Sequence, residues 1–297
     1  MNTPAPSKLF KYGLLVFIAL IWGSQFMINK LVLVYFTPEG LSFFRALIAF
    51  LTLSFLIPFT SEKKTPLIHT PKQVLILFLI GLLEATLPFY LISYGQLVIS
   101  SSMTAILMAS IALFTLALVF LFFKQEKISF LKFSGVFLGF MGVLVLVAPD
   151  IHMGLKGNLL GELAVLGGAF CFSSSLVLIR AFCQNSPPIR TARMILFSAV
   201  IQLGVLSIIL RHAFWHQTPP LHILMDMMLL GVLAGGIVYV LYVMLIRAAG
   251  ATFTGFTNYL VPLVGVLMGV FILNEPIQSS ALIGMVIILF SMGICEF

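Results

Sequence analysis

The sequence predicts an all-α integral membrane protein whose ten transmembrane helices form two inverted five-helix repeats. Three observations predict it: too few charges to cover a water-facing surface, ten apolar runs of spanning length, and a match of the chain to itself half a length apart. Of 297 residues, 61% are hydrophobic and 8% charged, with a mean hydropathy of +1.18. A soluble domain carries about 25% charged residues, so lipid is the expected solvent, and ten helices of about 20 residues use nearly the whole length. No length remains for a soluble catalytic domain.

The runs fall at 12–34, 40–59, 73–95, 100–123, 130–148, 158–180, 191–210, 223–246, 251–273 and 279–295. Each can cross a hydrocarbon core of about 30 Å at 1.5 Å per residue. The first, from Tyr12 to Val34, is too long for a signal-peptide core and is expected to stay as a span. Between the third and fourth runs the polar break is Ser100-Ser101-Ser102, and a single helix from 73 to 123 would be far too long.

Cation placement sets orientation. With a cytoplasmic N-terminus, Lys8, Lys11, Lys63, Lys64, Lys72, Lys124, Lys127, Lys132, Arg180, Arg190, Arg193 and Arg247 fall on the inner side, against Lys30, Lys156 and Arg211 outside. This positive-inside bias, with an even helix count, predicts that both termini are cytoplasmic. The net charge of +7 is spread through these loops, so no nucleic acid partner is expected. Cys171, Cys183 and Cys295 lack metal-ligand spacing and read as packing residues; His212 and His216 sit beside Trp215 in a loop read as interfacial, and neither a metal nor another cofactor is expected.

At an offset of 149 residues Glu126 meets Glu275, Ile128 meets Ile277, Gly135 meets Gly284 and Tyr90 meets Tyr239. At 150, Ala19 meets Ala169, Trp22 meets Phe172, Lys30 meets Arg180 and Pro38 meets Pro188; at 148, Arg45 meets Arg193. The set predicts repeats over 1–148 and 149–297. Five being odd, the second repeat crosses the bilayer in the opposite sense, which places a solute site near the midplane between the halves.

The run Ala19-x-x-Trp22-Gly23-Ser24-x-Phe26-x-x-x-Lys30, followed by Pro38 and Arg45, resembles the opening of an EamA-type repeat of the drug/metabolite transporter superfamily. So do the endings from Glu126 to Gly135 and from Pro262 through Glu275 to Gly284. The resemblance implies a monomeric bacterial inner-membrane carrier of small metabolites, often amino acids and often exporting. It also implies a central cavity lined by helices 1, 3, 4, 6, 8 and 9. The partners it implies are a small-molecule substrate and the lipid bilayer.

Glu84 is the sharpest candidate residue, because it sits mid-run where a charge costs at least about 2.5 kcal/mol. It can carry a proton, making protons a candidate coupling ion, or pair with a substrate amine; a neutral acid bonded to a neighbouring helix is the structural alternative. Arg45, close enough to its helix end to snorkel, reads as an anchor, with holding Glu84 or a substrate carboxylate as the alternative, and Lys30 reads as an interface residue. Glu126 and Glu275, just ahead of the fifth and tenth helices, read as structural caps of those helices, with Pro276 in the first turn. Pro88 and Pro262 each remove a backbone donor and are expected to kink their helices. Trp22, Gln25, Phe26, Tyr90, Tyr239, Asn258 and Tyr259 complete a polar-aromatic set for a weakly polar pocket.

Overall fold

A computed structural model describes residues 7–60, 62, 70–122, 130–153, 158–210 and 213–296. Among the described residues every regular element is helical, apart from an isolated antiparallel bridge between Phe36 and Trp215. Eight helices are long and apolar enough to cross a membrane: α1 (Lys8–Val32), α2 (Pro38–Phe59), α3 (Pro71–Gly95), α4 (Ser101–Phe122), α6 (Leu159–Phe182), α7 (Pro188–Leu210), α8 (Leu221–Ala249) and α9 (Phe253–Leu273). The other two, α5 (Phe130–Met153) and α10 (Ser279–Glu296), carry shorter apolar stretches, Phe133–Pro149 and Ser279–Ile294. Ten spans were expected; among the described residues eight helices are of spanning length and two carry shorter apolar stretches. The chain is thus a multi-pass membrane protein of eight long apolar helices and two shorter ones among the described residues.

Local chemistry explains the starts. The Ser7 hydroxyl accepts from the Phe10 amide at 3.2 Å, which draws the start of α1 back to Lys8. Thr37 accepts from the Gly40 amide ahead of Pro38, Thr70 and Gln73 form a reciprocal capping box, and Ser100 accepts from the Met103 amide at 3.1 Å. The serine break therefore does divide α3 from α4. At the other end of the repeat, Asn274 turns left-handed (φ 54°) to stop α9, and the Glu275 amide returns to the Gly269 carbonyl at 3.1 Å. α10 begins only at Ser279, so Glu275 and Pro276 precede its first turn rather than build it.

Helices from the first half pack on helices from the second throughout: α1 on α9, α2 on α7 and α8, α3 on α6 and α7, α4 on α6 and α9, and α5 on α10. In the last pair Gly142 and Gly284 face each other so closely that a Cβ on Gly284 would lie 2.9 Å from the Gly142 carbonyl oxygen.

Two helices are distorted at depth. In α3 the turn from Leu82 to Thr86 widens to π geometry, and the Leu87 amide reaches back to the Leu82 carbonyl. Pro88 follows directly and cannot donate to the Glu84 carbonyl. The expected kink site is therefore a widened turn. α8 widens likewise over Leu230–Ile237, where the Val238 amide reaches Leu233. Pro262 lies inside the helix Thr257–Leu273, nearly two turns beyond a break at Phe256.

Candidate functional site

One face of α1 presents Trp22, Gln25, Phe26 and, one turn on, Asn29, the i, i+3, i+4, i+7 spacing of a single helical stripe. The first three line a cavity of about 220 Å³ in the middle of the bundle. α3 contributes Glu84 from its widened turn and Phe89; α8 contributes Tyr239 and Tyr242; α9 contributes Asn258 and Pro262. Met108 and Ala112 of α4 and Phe172 and Leu176 of α6 supply apolar wall. The six expected helices all reach the cavity, and so does α2, through Arg45.

Arg45 corrects an expectation. α2 starts at Pro38, so Arg45 lies about two turns in. Its side chain is 6% exposed, bonds the Gln25 Oε1 atom and lays its guanidinium 4.2 Å above the Phe89 ring centroid. It does not snorkel to an interface.

Glu84, 7% exposed, is held from the other half of the chain. The Ser175 hydroxyl of α6 donates to one carboxylate oxygen, and the Tyr239 hydroxyl of α8 donates to the other at 3.3 Å. Ser175 was not foreseen; the signal available was the run Ser173-Ser174-Ser175 inside an apolar helix. Trp22 meets Tyr239 and Tyr242 at 6.4 and 5.1 Å between centroids, closing one wall with aromatic edges. Tyr90 stacks on Tyr94 and packs into the α2–α7 cluster, while Tyr259 packs against the largest core cluster; neither lines the cavity.

Two polar clamps sit at the ends of the bundle. At the α3–α4 turn, Lys30 donates to the carbonyl oxygens of Gln96 and Ile99, the second at 2.8 Å, satisfying the end of α3. Glu275 reaches across from the other half to the start of α4: its carboxylate accepts from the Ser101 and Ser102 amides at 2.7 and 2.9 Å and from their hydroxyls at 3.0 and 2.6 Å. Glu275 is thus a cap, but of α4 rather than α10. Burial pushes its carboxyl up, and the hydrogen bonds from Ser102 and Ser101 outweigh burial and hold it below its ordinary value. Its repeat mate Glu126 lies outside the described residues, as does His212.

At the opposite end the buried Glu62, unremarked in the sequence, accepts from the Ile189 and Arg190 amides at 3.0 and 3.1 Å and pairs with Arg247 at 3.5 Å. It caps α7 as Glu275 caps α4.

A multi-pass helical membrane protein whose central cavity is walled by both halves has the frame of a solute carrier. The profile of the EamA-like transporter family matches residues 9–148 and again 159–295, and the chain belongs to that family, one of transporters. It is 26% identical over 153 residues to the "Uncharacterized transporter in trpA 3'region" of Buchnera aphidicola subsp. Schlechtendalia chinensis, covering 52% of this chain and 49% of that one. It is 28% identical over 154 residues to the "Uncharacterized transporter YdfC" of Bacillus subtilis (strain 168), covering 51% and 49%. To the "Uncharacterized transporter YyaM" of the same organism it is 22% identical over 281 residues, covering 94% and 90%. The chain spans about half the length of the first two of these curated relatives. A solved structure described only as "Crystal structure of protein" superposes with a TM-score of 0.69 at 13% identity, covering 97% of this chain and 98% of the other, which establishes the shared fold.

Proposed function

We propose that the chain is a bacterial inner-membrane carrier that exports small organic metabolites such as amino acids by alternating access. In this reading it works as a monomer in the lipid bilayer without a cofactor. Ten spans form two inverted repeats, 1–148 and 149–297, with both termini cytoplasmic. The observation that carries the reading is the ionisable Glu84 of one half, facing the central cavity and held by donors from two helices of the other half. Rocking of the halves has to make and break these bonds, so occupancy of the cavity and its orientation are linked.

Proton coupling has support in the geometry of Ser175. Its hydroxyl also lies 2.7 Å from the Phe172 carbonyl oxygen, and its one proton serves one acceptor at a time. With Glu84 ionised, Ser175 donates to the carboxylate. With Glu84 protonated, Ser175 turns to Phe172 and accepts from the acid. The site thus accommodates both protonation states without an orphaned group. Uptake and counterflow of a labelled metabolite panel in proteoliposomes at two pH values tests the function. Saturable counterflow is expected, and a membrane scaffold without transport gives none.

A further inference from the structure

Arg45 holds more hydrogen-bonding capacity than the protein uses. A guanidinium has five N–H donors and stays charged at any relevant pH. Among the described residues its one acceptor is Gln25 Oε1, a neutral amide oxygen. The Nε atom is buried without a partner. No carboxylate of the described residues pairs with it, although Glu84 lines the same cavity. Arg45 also borders a side pocket of about 30 Å³ shared with Gln25 and Asn29.

A buried cation with one neutral acceptor and one aromatic face is costly unless an anion completes it. We propose that Arg45 is the anion-recognising arm of the cavity, binding a planar carboxylate on the cargo, and that Gln25 is the residue that positions it. Glu84 faces the same space and takes the cargo's ammonium group. The apolar wall of Phe26, Met108, Phe172 and Leu176 receives the uncharged remainder. Gln25 fixes one edge of the guanidinium and Phe89 fixes its plane, so the remaining donors are presented in a set orientation. The cargo is therefore a compact zwitterion read at both charges, which deepens the carrier reading and rests on it.

The test uses purified full-length protein and calorimetric binding of the standard amino acids, their α-amides and the matching amines that lack the carboxyl group. Gln25→Glu is the informative variant. It keeps the accepting oxygen that seats Arg45, so folding is retained, but it gives the guanidinium an internal anion that competes with the cargo. At least one amino acid is expected to bind wild type about tenfold or more tightly than its amide. In Gln25→Glu that acid is expected to weaken by about tenfold or more while the amide holds or improves. Arg45→Lys, which keeps the charge and loses the fork, is expected to weaken the acid and leave the amide unchanged.

Acid and amide binding wild type alike, an unchanged acid affinity in Gln25→Glu, or no binding by any panel member would each overturn the proposal. Proteoliposome counterflow of the same compounds separates this from the carrier reading. Discrimination by charge without counterflow sinks transport and keeps the subsite. Counterflow indifferent to the carboxylate does the reverse.

Discussion

Removing the Glu275 carboxylate tests the clamp between the halves most directly. Glu275→Ala deletes four hydrogen bonds at the start of α4 and one charge facing two backbone amides. Loss of a helix cap costs about 0.5–2 kcal/mol and a hydrogen bond to a charged group about 1.5–3. The four bonds share two oxygens on a half-buried side chain, so the terms do not add and solvent screens part of each. A net loss of about 2 kcal/mol follows, which for a chain this long is a fall of about 4 °C in the melting midpoint.

The assay is tryptophan-fluorescence melting in detergent, with Glu275→Gln, which keeps one acceptor, expected to fall between wild type and alanine. The pH profile adds an independent check. Since the folded pKa is depressed, the stabilisation is complete above the ordinary carboxylate value of about 4 and is lost as pH falls through the lower folded value. Both variants should lack that acid limb. A midpoint within about 1 °C of wild type in Glu275→Ala, or an acid limb that survives, would refute the assignment of this carboxylate as the cap of α4.

Glu84→Gln is expected to leave the protein folded and to make counterflow equal at the two pH values, since the amide cannot exchange a proton; a persisting pH dependence removes Glu84 from the coupling step. Gly284→Val pushes side-chain atoms into the Gly142 carbonyl and Leu146 and is expected to cost about 1–3 kcal/mol, read as a lowered melting midpoint. Gly13→Ala, with nothing within 4 Å of the added carbon, is its control.

The helices were legible from the length of their apolar runs, and four of their starts are closed by residues whose chemistry is local. Ser7, Thr37, Thr70 and Ser100 are caps that a reader of the chain can find by position. Glu84 was legible for a different reason: a carboxylate amid leucines has no tolerable place except against an internal cavity. Arg45 lies deeper than its place near the start of the apolar run at 40 suggests, because Thr37 and Pro38 start the helix earlier and carry Arg45 inward.

The neighbours of Glu275 in sequence suggest a cap of α10, yet the amides it holds lie 173 and 174 residues away. Glu62 and Ser175 escaped notice for the same reason, since a loop carboxylate and one serine of three acquire meaning only from the helix brought opposite them. The widened turns had no signature of their own. Pro88 marks one, but α8 has the same geometry around Gly235 and Gly236 without a proline.

That difference bears on what the widened turn in α3 is for. A turn with one residue too many is slack in the thread of a screw: it sets the angular phase between the part below, which packs on α7, and the part above, which packs on α6. Tightening this turn to α geometry with every residue kept takes up the slack. The backbone can close as ordinary α-helix, and everything beyond it then turns by about 100°. Phe89 would leave the Arg45 guanidinium and Gln96 would swing away from Asn29 and Lys30, although no residue that touches the cavity had been changed.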